Sequence, residues 1–274
     1  RMIEHRIVAN GLTHFVRDEG PPGAPVAVLV HGFPDSSDVW SPVTPALVAA
    51  GFRIIAPDMR GFGRTDMAKK TSDYDIHAGA VPDVIAIMDA LGVKKAHLVG
   101  HDFGGVVAWA LAARHKERFM TLSALSIGHL RAYLAAGAEQ KIRGWYVLAH
   151  QFRGIAEAVY RFNDWMILRG QWSREGDVEA MLALLKRPGR LTAALDWYRA
   201  NLSFQRLFDP PAFGSRGEEI VRIPTLGVWS AGDRFLTERQ MTGSAKYVEA
   251  PWRYERINDA SHGISYDQPA RLAT

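Results

Sequence analysis

The stretch 97-HLVGHDFGGVVAWAL-111 runs from a short apolar segment through a glycine-flanked turn into a helical pattern. Asp102 stands at the crest of that turn, between Gly100 and Gly104. Glycine at these two positions allows the backbone to turn sharply where a strand and a helix crowd each other. The pattern therefore predicts a strand, a tight turn and a helix, with one carboxylate held above the end of the strand.

Strand and helix signals alternate on both sides of this stretch. The segments that are typical of buried strands are VAVLVHG, FRIIAPD, KAHLVGHD, FMTLSALSI, IPTLGVWSAGD and WRYERINDASH. The segments AVPDVIAIMDALGV and FGGVVAWALAARH have helical spacing. Such alternation predicts an α/β fold with a mostly parallel central sheet flanked by helices.

The alternation stops between about Gly128 and Asp209, where Trp, Tyr, Phe and Arg are dense and helical spacing dominates. We interpret residues 128–209 as a helical cap, or lid, inserted between two strands. The core would then consist of residues 1–127 and 210–274.

Composition excludes several classes of protein. The chain has 274 residues and a net charge of +4, with its basic residues scattered, so we expect no nucleic-acid partner. It has no cysteine, which excludes disulfides and thiolate chemistry. No apolar run is long enough for a membrane span, so we expect a soluble cytoplasmic protein without a membrane partner.

No metal, nucleotide or flavin motif is present, so we expect no cofactor, and the sequence carries no signal for an oligomeric state. We expect that both ends of this sequence are trimmed, because Arg1 precedes Met2 and the sequence ends soon after His262.

The segment G-H-D-F-G at 100–104 has the spacing of a nucleophile elbow, G-x-nucleophile-x-G. The positive end of the following helix would stabilise a carboxylate at this position. An ordinary helix N-cap is the alternative interpretation of Asp102. Asp233 and His262 favour the elbow, because each follows a predicted strand and the three residues occur in the chain order nucleophile, acid, histidine.

The chain resembles the α/β-hydrolase superfamily over essentially its whole length and, within it, the soluble epoxide hydrolases. The motifs that carry the resemblance are HGFP, DMRGFGRTD, VGHDFGGVVAW, AGDRF and SHGISYDQP. The HGFP turn resembles the oxyanion loop of these enzymes, which implies an oxyanion hole formed by the backbone N–H groups of Phe33 and Phe103. Asp35 follows this loop where the family more often carries Glu.

Two tyrosines of the predicted cap match the family's epoxide-binding pair. Tyr146 lies five residues before Gln151 of a Q-x-x-G-x-A-E segment, and Tyr198 lies in LDWYRAN. Packing aromatic residues are the alternative interpretation. The aromatic side chains that we expect to line an apolar substrate pocket are Phe33, Trp40, Phe103, Trp145, Phe152 and Trp197.

The resemblance implies a reaction between a small apolar epoxide and water. Asp102 would open the epoxide and form an ester, with Tyr146 and Tyr198 assisting the departing oxygen. His262, oriented by Asp233, would then activate a water molecule that hydrolyses the ester to a vicinal diol.

Haloalkane and haloacid dehalogenases use the same aspartate and remain alternatives. Haloalkane dehalogenases hold the leaving halide with side-chain N–H donors, whereas Phe103 and Phe33 offer none here. Trp145 or Trp197 could still bind a halide. Fluoroacetate dehalogenases carry arginines where this chain has Phe103 and Val106. A hydrolase fold retained as a non-catalytic binding protein is a further alternative.

Overall fold

An eight-stranded sheet forms the centre of the protein in a computed structural model, which describes residues 2–170, 175–204 and 219–274. The strands are β1 (Met2–Ala9), β2 (Leu12–Glu19), β3 (Val26–Val30), β4 (Arg53–Pro57), β5 (Ala96–His101), β6 (Phe119–Leu125), β7 (Thr225–Ser230) and β8 (Trp252–Ile257). Their order in the sheet is β1-β2-β4-β3-β5-β6-β7-β8. Strands β3 to β8 pair in parallel, and β2 is antiparallel to both β1 and β4. The mostly parallel sheet is confirmed.

The antiparallel β1–β2 hairpin was not predicted from the sequence. Asn10 and Gly11 form its two-residue turn, and both have positive φ angles, of 50° and 76°. An Asn-Gly pair between alternating segments favours this kind of tight turn, because both residues tolerate a left-handed backbone. The signal was therefore present in the sequence, and the hairpin extends the sheet at one edge.

Helices cover the sheet on both faces. They are α1 (Thr44–Ala49), α2 (Val81–Ala90), α3 (Phe103–Arg114), α4 (Leu130–Leu134), α5 (Ala138–Arg143), α6 (Trp145–Ala149), α7 (Ile155–Arg169), α8 (Glu175–Leu185), α9 (Arg190–Asn201), α10 (Glu238–Thr242), α11 (Ile264–Asp267) and α12 (Pro269–Leu272). Shorter 3₁₀ segments span Ser37–Trp40, Thr71–Tyr74, Lys116–Arg118 and Gly243–Tyr247, and a π-helical segment spans Ile76–Ala80. Alternate side chains of β3 belong to two different apolar clusters, so both faces of this strand are buried.

Helices α4 to α9 lie between β6 and β7. The division into a core of residues 1–127 and 210–274 and a cap of residues 128–209 remains a prediction, and its second boundary lies outside the described residues. Helix α7 is interrupted near its middle, where Asn163, Asp164 and Trp165 adopt left-handed φ angles of 46°, 49° and 63°. In the described ranges, no helix has the length and the apolar character that crossing a membrane requires.

Helix α5 is bonded to the loop that follows β7. The side-chain amide of Gln140 donates to the carbonyl of Phe235 over 2.9 Å and accepts from the backbone N–H of Thr237 over 2.8 Å. One turn later, the guanidinium of Arg143 donates to the carbonyl of Asp233 over 2.7 Å. These bonds fix the helix that precedes Tyr146 against the loop that carries Asp233.

Helix α9 is bonded to a different part of the core. The indole N–H of Trp197 donates to the carbonyl of Arg60 over 3.0 Å. The side chain of Asn201 donates to the carbonyl of Tyr74 and accepts from the N–H of Ile76, each over 2.9 Å. Because these two anchors flank Tyr198, its position is set by buried hydrogen bonds on both sides.

Candidate active site

Asp102 occupies a strained turn between β5 and α3. Its backbone has φ 53° and ψ −125°, a conformation that is costly for a residue with a side chain. A Cβ at Gly104 would overlap the carbonyl oxygen of Val30, so the close approach of α3 to β3 requires glycine there. The turn directs the Asp102 carboxylate toward the loop after β3.

Backbone amides bind the Asp102 carboxylate. The N–H of Phe33 donates to Oδ1 of Asp102 over 2.8 Å, and the N–H of Phe103 also bonds to this carboxylate. Burial alone would raise the pKa of Asp102, but the hydrogen bond and charge of His262, with the Phe103 amide, outweigh burial and lower it. Asp102 is therefore an anion at neutral pH, with Oδ1 held by the Phe33 amide.

His262 lies between two carboxylates. Its Nδ1 is 2.8 Å from Oδ2 of Asp233, and its Nε2 is 3.5 Å from Oδ2 of Asp102. The other oxygen of buried Asp233 accepts from the N–H groups of Phe235 and Leu236, over 2.8 and 2.9 Å. These bonds hold the Asp233 carboxylate in one orientation, and the carboxylate in turn orients the imidazole.

The two carboxylates also set the charge of His262. Burial alone would lower its pKa, but the charge of Asp233 and the contacts with both carboxylates raise it to about 10. The resting site thus contains an imidazolium beside the Asp102 carboxylate. Loss of the negative charge on Asp102 would remove part of this effect and lower the pKa of His262 again.

Tyr146 and Tyr198 face the same cavity as Asp102 and His262. Their ring centroids are 6.0 Å apart and the rings are nearly perpendicular, at 82°. Burial raises the pKa of both phenols well above its ordinary value, so both remain protonated. The ring of Phe103 supports Tyr198 from 4.7 Å, edge to face. The structure thus brings together all five side chains predicted to be catalytic.

The cavity has a volume of about 860 Å³. The residues that line it are Phe33, Asp102, Ile142, Arg143, Trp145, Tyr146, Ala149, His150, Phe152, Ile155, Ala156, Val159, Tyr160, Ile167, Tyr198, Arg234, Phe235 and His262. Phe33, Trp145 and Phe152 are thus placed where the sequence analysis predicted them. Most of the lining is apolar, which suits an apolar ligand.

Three aromatic side chains predicted to line the pocket lie elsewhere. Trp40 is only 1% exposed and packs in the apolar cluster that also contains Ile264. Trp197 is equally buried, with its indole N–H bonded to the core. The Phe103 ring packs beneath Tyr198 instead of lining the cavity. The prediction for these three side chains is corrected, since aromatic residues near a site in sequence also build the core beneath it.

Two polar residues of the cavity wall, His150 and Tyr160, were not predicted. They lie ten positions apart on successive helical segments and match no motif. Their contact arises from the packing of α6 against α7, which a sequence pattern does not encode.

The chain matches the family model of the α/β hydrolase fold over residues 25–269. It is 31% identical over 272 residues to the AB hydrolase superfamily protein YfhM of Bacillus subtilis, an alignment that covers 95% of this chain and 92% of that protein. It is 34% identical over 317 residues to epoxide hydrolase 2 of Siraitia grosvenorii, covering 99% of this chain and 96% of the relative.

A solved epoxide hydrolase of Bacillus megaterium, in complex with an inhibitor, has a similar fold. Its TM-score with this protein is 0.86 at 22% identity, and the match covers 98% of this chain and 96% of the other. These matches, together with the chain order of the elbow, the acid and the histidine, identify the family. The chain belongs to the α/β-hydrolase superfamily and, within it, to the epoxide hydrolase branch.

Proposed function

We propose that this protein is an epoxide hydrolase that converts an epoxide to a vicinal diol through an ester on Asp102. The observation that carries the proposal is the pair of protonated phenols, Tyr146 and Tyr198, in one cavity with an anionic elbow carboxylate. A carboxylate can attack a saturated carbon without a base, and two phenols can stabilise the oxygen that leaves that carbon but remains on the substrate.

In the first step, Oδ2 of Asp102 attacks a ring carbon and the carbon–oxygen bond of the epoxide breaks. The opened oxygen takes a proton from Tyr146 or Tyr198 and becomes a hydroxyl group. The imidazolium of His262 holds the proton that restores the phenol, so charge and protons balance. Oδ1 stays in its hydrogen bond to the Phe33 amide and becomes the carbonyl oxygen of the ester.

His262 is a neutral imidazole once its proton has restored the phenol, and loss of the negative charge of Asp102 lowers the pKa of His262. Oriented by Asp233, it takes a proton from water, and the hydroxide attacks the ester carbonyl. The amides of Phe33 and Phe103 hold the oxyanion that forms on Oδ1, and such donors contribute about 10²–10³-fold each to rate. The intermediate collapses, the departing alkoxide takes the proton held by His262, and the diol leaves. The hydroxyl proton that remains on the Asp102 carboxyl group then passes to His262, which restores the carboxylate and the imidazolium.

The dehalogenase alternative finds less support. A halide would need side-chain N–H donors near Asp102, and the indole N–H of Trp197 is already bonded to the carbonyl of Arg60. Phe33 and Phe103 have no side-chain donor. Trp145 lines the cavity, but its side chain is 67% exposed, so a halide there would keep much of its contact with water.

Product analysis tests the proposal directly. The purified protein is mixed with styrene oxide, 1-chlorobutane or chloroacetate, and diol and halide are measured over time. We expect diol from styrene oxide and halide release that is far slower. Asp102→Ala, which keeps the fold but lacks the nucleophile, should form neither product. Halide release as fast as diol formation would overturn the assignment.

A further inference from the structure

The cavity wall carries a hydrogen-bonded pair of side chains that the proposed reaction does not use. His150 follows α6 and Tyr160 lies on α7, and Nε2 of His150 is 2.8 Å from the phenol oxygen of Tyr160. The two residues line the cavity and are only 3% and 8% exposed. The neighbouring lining side chains of the cap are largely apolar: Ile142, Trp145, Ala149, Phe152, Ile155, Ala156, Val159 and Ile167. The pair is therefore a local polar site in a largely apolar wall.

Both members of the pair are uncharged near neutral pH. Burial, followed by the positive charge of Arg199, lowers the pKa of His150 to about 3, although Glu157 opposes this shift. Burial raises the pKa of the Tyr160 phenol far above its ordinary value. The neutral pair thus carries two polar hydrogens, one on the imidazole and one on the phenol.

The bond within the pair uses only one of these hydrogens. If the phenol donates to Nε2, the second hydrogen lies on Nδ1 of His150; if Nε2 donates, the phenol hydrogen of Tyr160 is left over. Nδ1 has almost no exposed surface, so a ligand in the cavity cannot reach it, and it has no hydrogen-bond partner among residues 2–170, 175–204 and 219–274. A buried N–H without a partner is unfavourable, which favours the tautomer with its hydrogen on Nε2. The phenol hydrogen of Tyr160 is then left for an acceptor that a ligand brings into the cavity.

The acceptor that fits this position is an uncharged oxygen. The nearby positive charge, on Arg199, is already neutralised by Glu157, at 3.0 and 3.1 Å, and by Asp196, at 3.0 Å. An anion beside His150 would therefore lose its hydration without gaining a free cation. An ether, hydroxyl or carbonyl oxygen has no such cost.

The pair lies beside the phenols that would open the epoxide. The imidazole centroid of His150 is 4.3 Å from the ring of Tyr198 and 5.4 Å from the ring of Tyr146. An oxygen bound by the pair would therefore be only a few bonds from an epoxide bound by those phenols.

We propose that His150 and Tyr160 bind a substituent oxygen next to the epoxide, so that the preferred substrates are glycidyl ethers or 2,3-epoxy alcohols. This substrate class rests on the proposed function, because Tyr146 and Tyr198 place the epoxide itself. His150 and Tyr160 act here in binding and selectivity, and they take no part in proton transfer to the ring.

The test compares two substrates that differ in one group. Phenyl glycidyl ether carries an ether oxygen where 4-phenyl-1,2-epoxybutane carries a methylene, and their kcat/KM values follow from diol formation. The double variant His150→Phe/Tyr160→Phe removes both polar hydrogens but keeps ring-sized side chains. We expect the ratio of the two kcat/KM values, ether over methylene, to fall about threefold to tenfold in this variant, since one neutral hydrogen bond is lost. Comparing ratios cancels the intrinsic reactivity of the two epoxides.

Tyr254→Phe is the matched control, because it removes a phenol that bonds to Glu238 outside the cavity. It should leave the ratio unchanged. If the pair only supports Tyr198 by packing, the double variant should lose activity on both substrates equally. That result, or a ratio equal to that of the wild type, would overturn the inference.

Binding of the product diols separates this inference from the proposed function. Calorimetry with the wild-type protein compares 3-phenoxypropane-1,2-diol with 4-phenylbutane-1,2-diol, and we expect the ether diol to bind more tightly. Tighter binding without turnover of either epoxide would retain the polar subsite and reject the hydrolase. Turnover of both epoxides with equal diol affinities would retain the hydrolase and reject the polar subsite. The binding comparison needs no variant, so it decides even if the double variant does not fold.

Discussion

The backbone N–H of Phe33 donates to Oδ1 of Asp102 over 2.8 Å. The amide proposed to stabilise the oxyanion therefore already positions the proposed nucleophile in the resting protein. With Oδ1 held, Oδ2 is the oxygen that lies toward His262, at 3.5 Å from Nε2. In the proposed mechanism, this hydrogen bond distinguishes the oxygen that attacks from the oxygen that becomes the ester carbonyl.

Gly32 makes this hydrogen bond possible. A Cβ at Gly32 would overlap the Asp102 side chain, so Gly32→Ala should displace the carboxylate or the Phe33 amide. We expect kcat to fall by about 10²-fold or more, the value typical of losing one oxyanion donor. Steady-state diol formation measures it. Gly243→Ala is the control, because its nearest neighbour would be 3.7 Å away, and it should behave like the wild type. Full activity in Gly32→Ala would contradict the close packing described here.

His262→Gln should separate the two chemical steps. Ester formation needs the Asp102 carboxylate, whereas ester hydrolysis needs a base, and losing a general base typically costs about 10²–10⁴-fold. The ester should therefore accumulate. Intact-mass spectrometry after mixing with excess epoxide should show the protein heavier by one substrate. Asp102→Ala/His262→Gln should show no added mass, and an unmodified His262→Gln protein would contradict the ester mechanism.

The two phenols should substitute for each other in part. Tyr146→Phe and Tyr198→Phe should each slow ester formation and leave measurable activity, because the other phenol still stabilises the opened oxygen. In the double variant, the rate of ester formation should fall about 10²–10⁴-fold, and the effects of the two single replacements should not be additive. Single-turnover measurements locate the defect in ester formation.

A buried phenol outside the cavity provides the control for these variants. Tyr74→Phe removes a hydroxyl that bonds to the carbonyl of Ala68, so it should affect stability without slowing ester formation. If Tyr146 and Tyr198 were packing residues only, their double variant would resemble Tyr74→Phe. A folded double variant with wild-type rates of ring opening would end their assignment.

Asp35 should make stability depend on pH. Burial, followed by the charge of Asp102, raises the pKa of Asp35 from 3.8 to about 7. The unfolded chain loses this proton near pH 4, so the stability that protonated Asp35 contributes declines from there and is lost once the pH passes about 7. Asp35→Asn carries no proton to lose. It should be more stable than the wild type at pH 8, by at most about 4 kcal/mol, and this gain should vanish toward pH 4.

Urea denaturation at pH 4.5, 6 and 8 measures the difference in unfolding free energy between Asp35→Asn and the wild type. Asp259→Asn, which changes an exposed carboxylate, should show no such trend and serves as the control. A constant difference between Asp35→Asn and the wild type across this range would show that Asp35 is ionised in the folded protein at all three pH values.

The sequence was most informative where backbone geometry restricts residue choice. The turn at Asp102 needs glycine at position 104, the loop after β3 needs glycine at position 32, and the ends of parallel strands meet at one edge of the sheet, so these features could be predicted. Side-chain packing follows no such local rule. Trp40 and Trp197 have the composition of a pocket wall but are core residues, and only the packing of the helices brings His150 to Tyr160.

The bonds of Gln140 and Arg143 to the loop after β7 limit how this enzyme can diversify. Exchanging helices α4 to α9 for those of a relative, to change the substrate range, would also remove these three hydrogen bonds to the loop that carries Asp233. These helices are therefore not an independent module. New specificities can arise more readily by single replacements among the side chains that face the cavity, such as Phe152 and Ile155, while Gln140 and Arg143 are retained.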